Sequence, residues 1–252
     1  MVGIKRTLIA LLIVGTFAVA SPARAAEQSR YYSPVTVKGQ TFPVLLSADD
    51  RWLNWRDTYG APRMRLDPKK GVWEQTGTHQ GIDIFTERAT PVVALQPGVI
   101  ENLGWTFYSG WRVGVRGDDT NYYFYAHLLG EYAPGIALGV RVSSGQRLGS
   151  IGSSGYGPVG TADEFPPHLH FGIQSTKRGW LNPQPLLEEL YDGSVSSARA
   201  SKAQTQSLRY HIKVLRSRMY SPGTPSLATL AASITLIEQR LTALEAISLI
   251  DR

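Results

Sequence analysis

The chain of 252 residues is long enough for one or two domains with a sizeable hydrophobic core, and because it contains no cysteine it has neither a disulfide framework nor a cysteine for lipid attachment. The formal net charge is +6, but residues 1–25 hold three basic and no acidic groups and residues 194–252 carry +5, which leaves −2 for residues 26–193. The basic character therefore lies in the tail, and the charge of the main domain argues against nucleic-acid binding, which needs clustered Lys and Arg.

Residues 1–25 have the pattern of a secretory signal peptide. Two basic residues precede an apolar run from Leu8 to Ala20, and residues 23–25 form a small-x-small cleavage site. The alternative is a membrane anchor, but the apolar run has 13 residues, whereas a membrane-spanning helix needs about 20. We therefore expect this segment to be cleaved and the mature protein to be secreted and soluble.

Residues 26–56 are predicted to form an N-terminal extension that leads into the main domain. Two short β-rich runs on either side of a Lys38-Gly39 turn indicate a β-hairpin. After this hairpin, Ser47 is a candidate cap for a short helix that contains Trp52 and Trp55.

A turn and a loop, predicted over residues 57–77, lead to a segment from Thr78 to Phe85 in which polar and apolar residues alternate. In an extended conformation His79, Gly81 and Asp83 share one face, whereas the isoleucines beside Asp83 point into the core. Gly81 would leave room for an ion between the two polar side chains. Imidazole and carboxylate groups at this spacing indicate a candidate metal site.

From Thr78 to Ile173 short β-rich runs alternate with Gly and Pro turns, and none shows the 3.6-residue period of a helix. This pattern predicts a mainly β fold built on antiparallel sheet. Tyr125 is expected on the same face as His127, where core packing is favoured over a contribution of its hydroxyl to the site. The candidate strands are Pro91–Leu95, Gly98–Leu103, Trp111–Arg116, Asn121–His127, Gln146–Ile151 and His168–Ile173.

The last candidate strand contains His168 and His170, which alternation places on one face, while the apolar residues beside them face the core. A lone histidine is more often a satisfied core or surface residue than a ligand. Here, however, four of the five histidines lie in three such segments. Two imidazoles and the Asp83 carboxylate would give three ligands and an open fourth position, which is typical of catalytic zinc sites.

The chain after the β region is predicted to be helical. Asn182 and Pro183 indicate the cap and first turn of a short helix from Gln184 to Tyr191. In residues 194–252, apolar residues recur at steps of three and four on both sides of a break at residues 221–225, which predicts a helical hairpin with a coiled-coil-like seam. The seam residues are Leu208, Ile212, Leu215, Met219, Leu227, Leu230, Ile234, Ile237, Leu241 and Leu244.

The first helix of this hairpin is basic. Its charge indicates either docking to an anionic polymer, a membrane surface or a partner, or a solvated face on a helix pair that packs against its own domain. The sequence favours neither reading. The basic residues are Arg209, Lys213, Arg216 and Arg218. His211, which lies among them, has no potential ligand at suitable spacing and receives no role.

Three motifs resemble the lysostaphin-type zinc metallopeptidases: His-x-Gly-x-Asp at residues 79–83, Tyr-x-His-Leu at 125–128 and His-Leu-His-Phe at 168–171. The turns and strands between the motifs are also similar, and the resemblance covers about residues 57 to 185. It implies that residues 57–193 are a zinc metallopeptidase domain that cuts peptide bonds in bacterial peptidoglycan, in the periplasm or at the cell wall.

The resemblance also implies roles for the site residues. His79, Asp83 and His170 would bind one zinc per chain, and zinc would polarise the scissile carbonyl and acidify the attacking water. His127 and His168 are assigned to the base for that water and to the stabilisation of developing charge. Which of the two performs which task is left open.

One stretch departs from the family pattern. The connection between Gly155 and His168 is longer than the usual one, so the shape of the groove and the substrate preference do not follow from the resemblance. It contains Asp163 and Glu164, which we expect to be solvated loop residues rather than metal ligands. Gly172 stands where the family often has Glu, at a position that is not a metal ligand.

These features predict a secreted zinc endopeptidase of peptidoglycan peptides, with the basic tail as a contact for an anionic wall polymer or membrane surface. One alternative is a non-catalytic cell-wall-binding relative that regulates another wall hydrolase. Such relatives typically lack some metal ligands, whereas all five positions are filled here. The other alternative is a zinc enzyme of unrelated chemistry, against which the Gly-flanked motifs and the secretion signal weigh.

Overall fold

The computed structural model describes residues 31, 34–46, 53–67, 69–218 and 227–250. The predicted signal peptide, Ser47 and Trp52 lie outside these residues. Of the helices in the described part of the chain, none is long and apolar enough to cross a membrane.

The described chain consists of thirteen strands followed by two helices. The strands are β1 (Thr36–Val37), β2 (Gln40–Thr41), β3 (Pro62–Asp67), β4 (Val72–Thr78), β5 (Ile82–Phe85), β6 (Pro91–Val93), β7 (Gly98–Thr106), β8 (Gly110–Gly117), β9 (Tyr122–Leu128), β10 (Arg141–Val142), β11 (Arg147–Ser150), β12 (His168–Ser175) and β13 (Gly179–Leu181). The helices are α1 (Gln184–Arg218) and α2 (Leu227–Ile250).

A seven-stranded antiparallel sheet forms the centre of the fold. Its strands follow the order β10-β7-β8-β9-β12-β13, and β5 also pairs with β12. The other strands form three two-stranded sheets, β1-β2, β6-β11 and β3-β4. Every strand pair is antiparallel, so the predicted fold class is confirmed.

Strand β12 is hydrogen-bonded along both edges. It pairs with β9 on one edge, and with β5 and then β13 on the other. The register places His170 directly opposite Asp83 of β5 and Ala126 of β9. A slip of one residue would turn every side chain of β12 to the opposite face, so pairing on both edges holds the histidines on one face.

The opposite face of the same strands forms the core. Leu169 and Phe171 of β12 and Ile82 and Ile84 of β5 are fully buried, as their alternation with polar residues predicts. Burial of each such side chain stabilises the fold by about 1.5–3 kcal/mol. The burial that holds the sheet together therefore also turns the histidines away from the core.

The N-terminal extension packs against this core. The predicted hairpin is present as β1 and β2. Phe42 and Val44, which follow it, are buried, and Val44 forms a β-bridge to β6. The Trp55 ring lies 5.4 Å from the Phe42 ring and 4.8 Å from the Tyr191 ring. Trp55 is therefore partly buried against the core, and the predicted helix around it is wrong because residues 53–56 are not helical.

The loop predicted up to Gly77 is instead a hairpin, β3-β4. All seven side chains of β4 are exposed. A strand that is exposed on both faces lacks the alternation of apolar and polar residues by which strands are recognised, so the sequence analysis missed it. The hairpin ends one residue before His79 and brings Arg63 to the site.

The helix predicted to end at Tyr191 continues without interruption as α1. Its start is capped as predicted, because Asn182 Oδ1 accepts a hydrogen bond from the backbone N–H two residues later, at 2.9 Å. A Cβ at position 193 would lie 2.6 Å from Val37 Cγ2, so Gly193 lets the helix pack closely against β1 instead of ending it. The predicted boundary between main domain and tail falls within this helix, and the division into two units stays a prediction.

The two helices pack together as the predicted seam suggests. Ile212 of α1 and Ile234 of α2 are buried, and Arg216 Nη2 donates a hydrogen bond to Glu238 Oε1 at 2.7 Å. Met219, another predicted seam residue, lies outside the described residues. A continuous coiled coil stays a prediction.

Candidate metal centre

Three donor atoms from two paired strands and the link before them converge at one point. Asp83 lies on β5 directly opposite His170 on β12, and His79 lies in the link between β4 and β5. His79 Nε2 is 2.9 Å from His170 Nδ1 and 3.1 Å from Asp83 Oδ1, and the latter two atoms are 2.9 Å apart. In the described part of the chain, this is the one cluster of three or more His, Cys, Asp or Glu side chains arranged to hold a metal.

The spacing of these atoms fits zinc. Bonds from zinc to nitrogen and oxygen measure about 2.0–2.1 Å, so two ligands of a tetrahedral zinc lie about 3.3–3.4 Å apart. The three observed donor–donor distances, 2.9, 2.9 and 3.1 Å, come within about half an ångström of that value. The donor set of two imidazoles and one carboxylate therefore suits zinc and leaves a fourth position open.

Thr58 orients the first of these ligands. His79 Nδ1 lies 3.1 Å from the Thr58 carbonyl oxygen and 3.0 Å from its hydroxyl. Because a carbonyl can only accept, Nδ1 carries the proton, and Nε2 presents its lone pair to the site. The backbone is held too, since His79 N–H donates to the Ala61 carbonyl at 2.8 Å and Gly60 N–H donates to the His79 carbonyl at 2.9 Å.

Asp83 is ionised in this environment. Burial by itself would raise the pKa of Asp83, but its hydrogen bonds to His170 and His79, and after them the positive charge that these imidazoles carry when protonated, outweigh burial and hold that pKa far below its usual range. The second carboxylate oxygen, Oδ2, accepts a hydrogen bond from Arg63 Nη2 at 3.3 Å. An ionised carboxylate with one oxygen facing two imidazoles is the form that a metal ion requires.

His127 and His168 lie beside this cluster. Each donates its Nδ1–H to a backbone carbonyl: His127 to that of Ser154 at 2.7 Å, and His168 to that of Pro166 at 2.9 Å. The two rings are 4.8 Å apart between centroids, and His168 Nε2 is 3.8 Å from Asp83 Oδ1. The structure thus brings all five predicted site residues together, and their individual roles stay predictions.

These imidazoles are neutral at neutral pH. Burial, and after it the charge of His168, lowers the pKa of His127 to about 3. Burial also lowers the pKa of His168 and that of His170, against the opposing effect of their hydrogen bonds. His127 and His168, whose Nδ1–H is already donated to a carbonyl, each offer a lone pair at Nε2, as a general base requires.

The backbone of His127 has an unusual conformation, and this conformation directs its side chain to the site. Tyr125 points into the core, where its hydroxyl accepts the N–H of Leu95 at 2.8 Å, so its predicted core packing is confirmed. His127 has φ 62°, and this left-handed conformation ends the alternation of β9. The expectation that the two side chains share a face is therefore wrong. Strained backbone of this kind persists only where surrounding contacts hold it in place. At His127 these contacts are two hydrogen bonds: His127 N–H donates to the Ser109 carbonyl, and Gly152 N–H donates to the His127 carbonyl.

Gly81 was predicted to leave room for an ion, but its missing side chain serves packing instead. A Cβ at this position would lie 2.5 Å from the Phe171 carbonyl oxygen and 2.8 Å from the ring of His170. Because Gly81 has no side chain, strand β12 and the His170 imidazole can pack directly against its backbone. The space beside Gly81 is therefore occupied by protein and is not a cavity for an ion.

The long connection before His168 is fixed to the rest of the domain by Asp163. This carboxylate forms an ion pair with Arg88 and accepts a hydrogen bond from the Ser153 hydroxyl at 2.8 Å. Neither Asp163 nor Glu164 belongs to the metal cluster. Both are loop residues, as the sequence predicts.

The sequence analysis missed Thr58 and Arg63. Both come from residues 57–77, which were expected to form a turn and a loop. Their roles depend on contacts with His79 and Asp83, and neither a threonine nor an arginine in an irregular stretch has a sequence pattern that reveals such a contact.

Comparison with known proteins identifies the domain that carries this site. Residues 77–183 match the model of peptidase family M23. The chain contains a peptidase family M23 domain. The resemblance to lysostaphin-type metallopeptidases is therefore confirmed, and all five site residues lie within the M23 domain.

Three relatives illustrate the likeness. The chain is 39% identical over 143 residues to the L-Ala–D-Glu endopeptidase of Bacillus subtilis (strain 168), with 56% of this chain and 40% of that protein covered. It is 33% identical over 141 residues to the glycyl-glycine endopeptidase ALE-1 of Staphylococcus capitis, with 53% and 36% covered. Among solved structures, the catalytic domain of lysostaphin from Staphylococcus simulans is 29% identical, with 56% of this chain and 94% of that chain covered and a TM-score of 0.41. The chain thus spans about two fifths of the length of the two curated relatives.

Proposed function

We propose that the protein is a secreted zinc endopeptidase that hydrolyses peptide bonds in bacterial peptidoglycan. The observation that carries this proposal is the convergence of His79 Nε2, Asp83 Oδ1 and His170 Nδ1 within 2.9–3.1 Å of one another, with two further histidines beside them. The M23 domain and the names of both curated relatives, each an endopeptidase, support the reaction class.

In this proposal His79, Asp83 and His170 hold the zinc. When bound there, zinc would supply a Lewis acid that polarises the scissile carbonyl and acidifies an attacking water. Thr58 keeps the His79 lone pair directed at the metal position, and Arg63 holds the outer oxygen of Asp83 so that the inner oxygen faces the imidazoles.

In this proposal His127 and His168 transfer protons during peptide hydrolysis. Each presents an unprotonated Nε2, because its Nδ1–H is donated to a carbonyl. Either histidine accepts a proton from the attacking water at Nε2, and the resulting imidazolium can stabilise the developing oxyanion or protonate the leaving amine. The two share the same hydrogen-bonding arrangement, so we assign these tasks to the pair jointly.

The test is the digestion of purified sacculi by the mature protein loaded with one equivalent of zinc. We expect released fragments with new peptide amino termini, identified by mass spectrometry, and we expect chelation to abolish release and added zinc to restore it. The control is the His127→Asn/His168→Asn protein, which should hold zinc but release nothing. A zinc-loaded wild type that binds sacculi without releasing peptides would instead identify the protein as a non-catalytic wall binder.

We also propose that the mature chain begins after residue 25, that residues 57–193 form the catalytic unit, and that the α1–α2 hairpin docks on an anionic wall polymer. Exposed Arg209 and Lys213 on α1 support the docking. Arg209→Gln/Lys213→Gln should weaken binding of the full-length chain to sacculi at low salt, and the difference should vanish at high salt. The same charge change at exposed Lys177 and Arg178 is the control. An equal loss in the control would place the contact outside the tail.

A further inference from the structure

Four aromatic rings form a continuous row that ends at the assisting histidines. We call Phe107, Tyr108, Tyr156 and Phe165 the aromatic rim. Successive ring centroids are 5.0, 5.9 and 5.6 Å apart. At one end of the row, the Tyr156 ring stacks on His127 at 6.2 Å and 20°, and the Phe165 ring lies 4.7 Å from the His127 ring. The rim is therefore continuous with the proposed active site.

The rim is exposed. Phe107, Tyr108 and Tyr156 are 52%, 54% and 51% accessible to solvent. Large aromatic side chains that are clustered in this way leave about half of their surface in water, where it adds no hydrophobic stabilisation. On soluble proteins such patches mark sites of binding. The position of this one, beside His127, places that binding at the end of the proposed groove.

The loops that carry the rim are hydrogen-bonded to each other. Gly157 N–H donates to the Phe107 carbonyl at 3.0 Å, and Trp105 Nε1–H donates to the Gly157 carbonyl at 3.2 Å, so the two loops that carry the rim are joined. Tyr156 has φ 56°, a left-handed conformation that is uncommon for an aromatic residue. A strained residue that points its ring outward is consistent with a functional constraint, because core packing does not require it.

The occupant follows from the chemistry of the polymer, and this step rests on the proposed function. Stem peptides of peptidoglycan consist of residues with small or charged side chains, which cannot cover a row of aromatic rings. The large group of the polymer with an apolar face is the sugar ring. The rim itself consists of two phenylalanines and two tyrosines, so it offers ring faces and hydroxyls but no ionic charge. We propose that the aromatic rim is a saccharide subsite, which stacks on the sugar that bears the stem peptide.

The distances agree with a sugar near the scissile bond. The Tyr156 ring is 6.2 Å from the His127 ring, and the Tyr108 ring is a further 5.9 Å away. An extended peptide advances about 3.3–3.6 Å per residue. About two to four residues therefore separate the reacting bond from a sugar that lies on the rim, so the subsite favours cleavage close to the glycan.

The experiment compares two soluble substrates, a disaccharide-bearing stem peptide and the same peptide after removal of its sugars. The rim variant is Tyr108→Ala/Tyr156→Asn, in which asparagine suits the positive φ at position 156. The control is Tyr210→Ala, which removes an exposed ring from α1. The wild type should prefer the disaccharide substrate, and the rim variant should lower the ratio of the two kcat/KM values by about 10-fold, as expected for the loss of two ring contacts. The control should leave this ratio unchanged.

Binding of the free disaccharide, followed by ligand-observed NMR, separates this proposal from the proposed function. Wild type and Tyr210→Ala should both bind it, and the rim variant should bind it more weakly. If the protein cleaves neither substrate but shows this binding pattern, the proposed function fails and the subsite stands. Equal loss of kcat/KM on both substrates, or no binding of the disaccharide by the wild type, would overturn the subsite.

Discussion

The two sides of the site are held by different kinds of structure. The strand-built side, His79, Asp83 and His170, depends on the pairing of β5 with β12, in which four successive residues of each strand are in register. The loop-built side, His127 with the aromatic rim, depends on one residue at positive φ and on a few bonds between loops. In a strand pair several backbone hydrogen bonds fix the position of each side chain, so the loss of one bond changes little. In a loop a side chain depends on one or two contacts. We therefore expect the strand-built side to tolerate changes around it better, and to fail completely only when a ligand itself is lost.

The largest expected effect is on the strand-built side. Asp83→Ala or His170→Ala removes one of three donors, so each variant should lose stoichiometric zinc and all measurable peptide cleavage, because two donors do not hold the ion. Elemental analysis of the purified variants checks this result. The matched control is Glu164→Ala, which removes an exposed carboxylate outside the cluster and should keep the metal. Full zinc occupancy in either ligand variant would remove that residue from the set.

His127 on the loop-built side and His168 on strand β12 differ in this respect from the metal ligands: His127→Asn and His168→Asn should each keep zinc and lose activity. We expect each to lower hydrolysis by roughly 100- to 10,000-fold, the range for a lost acid, base or charge stabiliser. The double variant should lose less than the product of the two effects, because groups that serve one transition state act as a unit. Asparagine is chosen at position 127 because it tolerates the positive φ.

Zinc content and turnover are measured on the same preparations. Normal turnover in both single variants would contradict the mechanism. Loss of zinc from the His168 variant, together with full zinc occupancy in His170→Ala, would show that His168, and not His170, is the ligand.

A smaller effect is expected from Thr58→Val, which removes the hydroxyl 3.0 Å from His79 Nδ1 but keeps the carbonyl at 3.1 Å. Outer partners of metal-bound histidines contribute about 10- to 100-fold to affinity. Because one of two acceptors remains, we expect about a 10-fold weaker zinc affinity, measured by competition with a chelator. Thr58→Ser keeps the hydroxyl and should bind zinc as the wild type does. Equal weakening in both variants would point to packing of the methyl group instead.

A further effect concerns stability and pH and does not depend on the metal. In the folded protein burial lowers the pKa of His127 to about 3, whereas unfolded chains titrate at about 6.5. The unfolded state therefore binds the proton first, and stability is lost as pH falls from about 6.5 toward 3, by up to about 1.4 kcal/mol per pH unit from this residue. Urea unfolding of metal-free wild type and His127→Asn at about pH 7 and about pH 5 should show a steeper loss in the wild type. Parallel losses would mean that other groups, such as His168 and His170, account for the dependence.

The two sides also differ in how far the sequence predicts them. Period-2 alternation correctly places Leu169 and Phe171 in the core and the histidines of β12 on the other face, because burial of apolar side chains enforces the pattern. The same rule fails for His127, whose backbone leaves the strand conformation to satisfy contacts with Ser109 and Gly152. Those contacts join residues that are distant in sequence, so they cannot be predicted from the pattern of apolar and polar residues within one segment.

A similar limit explains the missed hairpin and helix. Strand β4 is exposed on both faces, so no apolar period marks it, although it positions the chain at His79. The sequence predicts a helix that ends at Tyr191, but α1 continues through Gly193, where the absence of a side chain leaves room for Val37. Propensity and periodicity describe a segment by itself, whereas these outcomes depend on what the segment packs against.

Helix α1 has a mechanical consequence for how the protein works. Its 35 residues correspond to a rod about 50 Å long. The first turns are anchored by buried Leu187 and Leu190, and Arg209 and Lys213 lie toward the far end. A flexible linker would allow the two ends a range of separations, whereas a helix sets one. If an anionic polymer binds at the far end, the helix would therefore keep the metal centre at a constant distance from the bound polymer. The metal centre would then reach only those peptide bonds that lie at this distance from the point of attachment.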